Sequence, residues 1–241
     1  MTAIVTSQLT KKHKDVVAVD KVDLSIMQGE LFALLGVNGA GKTTTIKMLS
    51  CLIKPTSGEA TLLGDDIISK PHAVKEKINI SPQETAVAAN LSVIENLQFL
   101  ARIYGQDKET ANKNSHEIAK KFGLENQLNK KVKHLSGGMQ RRLSIAMALI
   151  SNPQVLFLDE PTLGLDVLAR RELWKSINDL KGNVTIILTT HYMDEVAALA
   201  DRVGIMVEGK LVAVGTIAEL KEQTNTDNIE DAFVTLVGGV W

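Results

Sequence analysis

Gly36, Val37, Asn38, Gly39, Ala40, Gly41, Lys42 and Thr43 fill every position of the pattern G-x-x-x-x-G-K-[ST]. The apolar run Leu31–Leu35 ahead of it predicts a buried strand, and Thr44–Leu49 behind it predicts the first turns of a helix. Strand, loop and helix come in the order that a phosphate-binding loop requires. The glycines let the backbone curl so that successive N–H groups point into one concavity, and the helix adds the positive end of its dipole to the same place. An anion of triphosphate shape fits there, cradled by Gly36, Asn38, Gly39, Ala40, Gly41 and the helix start at Thr44. Lys42 then bridges the outer phosphates as a point charge, and the Thr43 hydroxyl ligates the Mg²⁺ that neutralises them.

The rest of the composition narrows what surrounds this loop. With 241 residues, 44% of them hydrophobic, the chain can fill a sizeable core. No apolar stretch approaches the roughly 18 residues needed to cross a bilayer. Met1–Thr10 lacks a basic start followed by a long apolar run, so no signal peptide is expected. A single cysteine, Cys51, excludes an internal disulfide and a cysteine zinc cluster; the expected compartment is a reducing cytoplasm and the expected role of Cys51 is packing. A net charge of −1 argues against nucleic acid as the main partner. Two local basic runs, Lys11, Lys12, Lys14 and Lys130, Lys131, Lys133 with Arg141 and Arg142, read as solvated faces.

Along the chain, strands are expected at Ala3–Leu9, Val22–Met27, Leu31–Leu35 and Glu59–Leu63, the last after a Pro55-Thr56-Ser57-Gly58 turn. From about Thr85 to Ile150 the pattern turns helical, with Val93, Leu97, Leu100 and Tyr104 on one stripe and Ile118 and Phe122 on another. Residues 85–150 therefore read as a helical lobe inserted within a single domain spanning 1–241. A helix from about Gly138 to Ile150 stops at Asn152-Pro153, and the continuous apolar run Val155–Leu158 reads as a strand buried on both faces. Helix at Leu168–Leu180, strand at Val184–Thr189, helix at Met193–Ala200, a hairpin around Gly209 and two short helices from Thr216 complete the reading. Alternating strands and helices imply an α/β fold, a mostly parallel sheet with helices on both faces.

Leu135-Ser136-Gly137-Gly138-Met139-Gln140 opens a helix, with Ser136 94 residues beyond Lys42. A serine cap followed by two glycines exposes N–H groups at a dipole end, a second anion seat. Together with the phosphate loop, the strand Val155–Asp159 ending in Asp159-Glu160, and Leu188-Thr189-Thr190-His191, this chain resembles the ATP-binding cassette of ABC transporters over about Ala3 to Leu220. The resemblance implies the P-loop NTPase fold, an N-terminal antiparallel β portion, and ATP with Mg²⁺ as the bound species. It also implies that two copies pack head to tail, so that Ser136, Gly137 and Gly138 of one serve the γ-phosphate held by the other.

Asp159 and Glu160 are adjacent at a strand end, where successive side chains point to opposite faces, so the two must differ in role. By resemblance Asp159 holds Mg²⁺ and Glu160 is the general base for the attacking water. Gln83 matches the glutamine that reaches metal and water beside the membrane subunit, and His191 the histidine that contacts the γ-phosphate. Asp166 matches the loop that crosses the dimer seam, while also suiting the N-cap of the helix after it. Where the family commonly stacks adenine on tyrosine, the aligned segment offers His13, which stacks with less area. The resemblance further implies a permease on a separate chain and a peripheral place on the cytoplasmic face of the cell membrane. Only 50 residues follow His191, which leans toward an exporter of the drug-resistance type. The alternative is a soluble cassette ATPase acting on DNA or ribosomes.

Overall fold

The computed structural model describes residues 1–238. Two sheets organise the molecule. The first is antiparallel and built from β1 (Thr2–His13), β2 (Val16–Met27), β4 (Ser57–Leu62) and the short β5 (Asp65–Asp66), in the order β2-β1-β4-β5. Between β2 and β4 the chain makes β3 (Leu31–Leu35), every residue of which is buried, and α1 (Lys42–Leu49). After β5 come α2 (Pro71–Lys77) and β6 (Ile78–Ser81), then α3 (Val93–Ile103), α4 (Lys108–Lys121) and α5 (Gly137–Leu149). The remaining elements are β7 (Val155–Asp159), α6 (Val167–Asn178), β8 (Thr185–Thr190), α7 (Met193–Leu199), β9 (Arg202–Val207), β10 (Lys210–Gly215), α8 (Ile217–Thr224) and α9 (Ile229–Val237).

The second sheet has the order β10-β9-β3-β8-β7-β6, parallel throughout except for the β9–β10 hairpin. Because side chains alternate along a strand, one strand serves two cores. Leu156 and Leu158 of β7 join the cluster that holds Val93, Leu97, Phe122 and Leu143 of the helical segment, while Val155 and Phe157 join Ile46 of α1 and Ile4 and Leu62 of the antiparallel sheet. A third cluster packs Leu35 and Ile205 against Val196, Phe233 and Val237. The helical segment therefore shares its core with the sheet it interrupts.

Several boundaries differ from the sequence reading for local reasons. The strand expected from Val22 begins at Val16, because it zips against β1 down to the pair His13↔Val16. Residues 85–91 are not helical; the Asn96 side chain holds them, accepting from Ala88 N at 2.8 Å and donating to Ala88 O at 3.2 Å. Helix α3 then starts with a capping box between Ser92 and Glu95. Tyr104 lies past the end of α3 and is exposed, its hydroxyl accepting from Asn79 Nδ2 at 3.0 Å. Helix α2 and strand β5 were not expected. Cys51 is half-buried at the edge of the α1 core, in the left-handed region at φ 57°.

Candidate functional site

The register of the parallel sheet gathers the motifs at one edge. Leu35 pairs with Thr190, Asp159 with Thr189 and Ser81 with Leu158, so the loops leaving β3, β8, β7 and β6 emerge side by side at the C-terminal ends of their strands. Between them lies an open cavity of about 380 Å³, lined by Ala18, Asn38, Gly39, Ala40, Gly41, Lys42, Thr43, Thr44, Gln83, Glu160, Leu163 and His191. Two glycines have no substitute in the loop. A Cβ on Gly36 would stand 2.4 Å from the Met206 carbonyl oxygen. At Gly41, which caps α1 at φ 102°, it would stand 2.5 Å from the Ala18 carbonyl oxygen.

A compact charge cluster forms the floor. The Lys42 ammonium donates to the carbonyl oxygens of Gly36 at 2.7 Å and Val37 at 3.2 Å and pairs with Glu160 Oε1 at 3.2 Å. The other Glu160 oxygen accepts from His191 Nδ1 at 2.8 Å, leaving the second ring nitrogen of His191 for another partner. Glu160 is buried and sits in the left-handed region at φ 47°, a conformation that costs a non-glycine residue about 1 kcal/mol. Its amide is secured by Thr189, through both the carbonyl oxygen at 3.1 Å and the hydroxyl at 3.0 Å. The same Thr189 hydroxyl donates to Asp159 Oδ1 at 2.5 Å, and the Thr43 hydroxyl donates to that oxygen at 3.0 Å.

The donor set suits a hard divalent cation. Thr43 and Asp159 meet oxygen to oxygen, beside a loop built for phosphates, whereas no group of three or more His, Cys, Asp or Glu side chains is arranged for a metal among the described residues. Mg²⁺ binds in that manner, through one or two protein oxygens, with water and phosphate completing its shell.

Three contributors were missed in the sequence. Arg141 was read as part of a solvated basic face; it is 4% exposed and binds the carbonyl oxygens of Asp159, Pro161, Pro82 and Gln83. Burial pulls its guanidinium down to about 10, against the opposing attraction of Asp159, Glu195 and Glu160, and it stays charged at neutral pH. The other residues of the two basic runs, apart from half-buried Lys11 and Arg142, are exposed as expected. Glu195 is fully buried, and burial pushes its carboxyl up to about 7. It accepts from Trp174 Nε1 at 3.2 Å and lies beside the hydroxyls of Thr162 and Thr190, which flank Glu160 and His191 in sequence. The third is Thr189, legible only as a letter of the motif.

The His191 ring is braced in turn. It lies 4.1 Å from the Tyr192 ring, over which the Arg170 guanidinium sits at 5.3 Å while bound to Asp194 at 3.2 Å.

Of the remaining candidates only Gln83 reaches the cavity. Gln83 lines the cavity with an exposed side chain, its carbonyl accepting from Arg141 at 3.3 Å. Ser136 caps α5 by accepting from Met139 N at 3.3 Å; Ser136 and Gly137 are exposed, Gly138 is half-exposed, and all three stand outside the cavity lining. Asp166 caps α6 by accepting from Ala169 N at 2.9 Å, and is exposed. His13 is exposed at the end of the β1–β2 hairpin, also outside the lining.

The whole chain is similar to known proteins. A family model described as ABC transporter matches residues 19–163. The probable multidrug ABC transporter ATP-binding protein YbhF of Escherichia coli is 40% identical over 98% of this chain, which spans 42% of that longer protein. The daunorubicin resistance ATP-binding protein DrrA3 of Streptomyces coeruleorubidus is 39% identical over 95% of the chain and 73% of its own length. Among solved structures, the dimeric post-hydrolysis state of the ATP-binding cassette MJ0796 bound to ADP and Pi superposes with a TM-score of 0.79 at 26% identity, covering 88% of this chain and 98% of that one. A glycine-rich loop, two adjacent carboxylates and a histidine meet at one sheet edge, and with the family match and these similarities the chain belongs to the ABC transporter family.

Proposed function

We propose that this chain binds and hydrolyses ATP as the motor subunit of a transporter. The observation that carries the reading is the direct contact of Lys42, Glu160 and His191 in one cavity beside the Thr43–Asp159 pair. Phosphoryl transfer has a loose transition state, so positioning and charge neutralisation supply nearly all of its catalysis. The loop amides and Lys42 hold the triphosphate. Glu160 takes the proton of the attacking water, and His191 keeps that carboxylate in place while offering its free nitrogen to the γ-phosphate. Thr43 and Asp159, with Gln83 nearby, would hold Mg²⁺, which supplies neutralising charge when bound.

The exposed signature, Ser136 to Gly138, is an anion seat without an anion source in its own chain. A second copy packed head to tail brings one, with Asp166 at the seam. Residues 1–241 then act as one unit whose inserted lobe, 85–150, meets a permease on a separate chain together with the loop after Gln83. The names of the similar proteins favour a drug-resistance exporter. Among the described residues no helix is long and apolar enough to cross a membrane, in keeping with a peripheral subunit on the cytoplasmic face.

Dilution tests the shared pocket. Specific ATPase activity of the purified chain should fall as it is diluted through the pairing threshold, and Ser136→Ala should lower it at least about tenfold. Activity that stays flat on dilution and ignores Ser136→Ala refutes the shared pocket, and absence of ATPase activity refutes the hydrolysis.

A further inference from the structure

We propose that Arg141 is a positioning residue that carries the placement of the signature helix to the two loops holding Gln83 and Glu160 within the same chain. The inference rests on the ATPase reading above and adds a residue that motif matching leaves out.

Arg141 lies three residues beyond Gly138, on the buried face of α5. Its Nε donates to the Pro161 carbonyl oxygen at 2.8 Å and its Nη2 to that of Asp159 at 2.8 Å, while Nη1 serves Pro82 and, at 3.3 Å, Gln83. One rigid planar fork therefore bridges the loop after β6 and the turn after β7. Each of the two residues assigned to the attacking water, Gln83 and Glu160, carries a tethered carbonyl or lies between two of them. One turn further along α5, Ser144 Oγ meets Ser81 Oγ at 3.1 Å, so the helix is seated on β6 as well. All of these acceptors are neutral carbonyls, which a buried guanidinium satisfies together only while its plane and the loops keep this arrangement. A small shift of α5, such as would follow from a phosphate settling on its N-terminus, is thereby imposed on both loops at once. A lysine in the same place has a point charge and a flexible stem and cannot span them.

Arg141→Lys and, as control, Arg142→Lys separate this from general destabilisation; Arg142 is on the same helix but binds Phe122 O and Glu172. In the full chain, Arg141→Lys should bind ATP within about threefold of wild type and keep its KM within about threefold, with kcat lowered at least about thirtyfold. Arg142→Lys should keep kcat within about threefold. A folded Arg141→Lys protein with kcat within threefold of wild type overturns the proposal, as does an equal loss in Arg142→Lys. Should Arg141→Lys fail to fold, hydrogen exchange on the Glu160→Gln chain decides: on ATP addition, amides of 82–87 and 159–163 should gain protection together with 137–141. Protection confined to 137–141 overturns the proposal. Wild-type protein that does not hydrolyse ATP defeats the underlying reading instead.

Discussion

The Lys42 ammonium and the Glu160 carboxylate are 3.2 Å apart, with side chains only 6% and 7% exposed. The cation and the carboxylate, which the proposed function assigns to phosphate and to the attacking water, thus neutralise each other. On the proposed function, a triphosphate that draws Lys42 toward itself would loosen one hold on Glu160, so that binding and base activation would share one ion pair.

Glu160→Gln should lower turnover at least about 100-fold, since an amide cannot take the proton. ATP binding should persist, and gel filtration with ATP should show a trapped dimer. Without nucleotide the variant should lose about 3 kcal/mol, because Lys42 keeps its burial but loses its counter-charge. Hydrolysis at the wild-type rate would remove Glu160 from the role of base.

Thr189→Val keeps the shape of the side chain and deletes one hydroxyl. Asp159 loses a donor, and the Glu160 amide loses one of two acceptors. We expect kcat to fall about tenfold at little-changed KM, with a stability loss of about 1–2 kcal/mol on denaturant unfolding. Unchanged kinetics would show that Thr189 does not hold the pair.

Glu195 gives a pH dependence of definite sign. Its folded carboxyl titrates at about 7, above the unfolded value of 4.5, so the folded state binds more protons between the two. Its contribution is complete below pH 4.5 and is lost as pH rises through 7. Wild-type stability should therefore fall relative to Glu195→Gln from pH 5 to pH 8, by up to about 3 kcal/mol. A difference that grows in the opposite direction would mean that Glu195 is held ionised by Arg141.

His13 offers less stacking area than the tyrosine common in the family, and it stands exposed. GTP should be hydrolysed within about tenfold of the ATP rate, and His13→Tyr should tighten ATP binding. A hundredfold preference for ATP in the wild-type chain would locate base recognition elsewhere.

The features legible in sequence are those written in contiguous residues. Leu31–Leu35 is apolar throughout and is buried throughout. Gly41 and Lys42 mark the turn from loop to helix, and Ser136 caps the helix it was expected to cap. Backbone conformation over eight residues depends mostly on those residues, so the loop, the adjacent acids and the helix starts could be read without a fold. The reading failed where a side chain's neighbours come from afar. Arg141 looked like one more cation in a basic run, since nothing beside it in the chain announces the carbonyls of 82, 83, 159 and 161.

Order along the chain therefore determined which chemical parts this protein owns: a glycine-rich loop, a serine-capped glycine pair, two adjacent carboxylates and a histidine. Only the tertiary structure decided which of them touch. The Thr43 hydroxyl reaches Asp159 across 116 residues because β3, β8 and β7 lie in parallel register with level C-terminal ends. That register is set by hydrogen bonds between strands and by alternate side chains packing into two different cores, long-range terms that no local stretch contains.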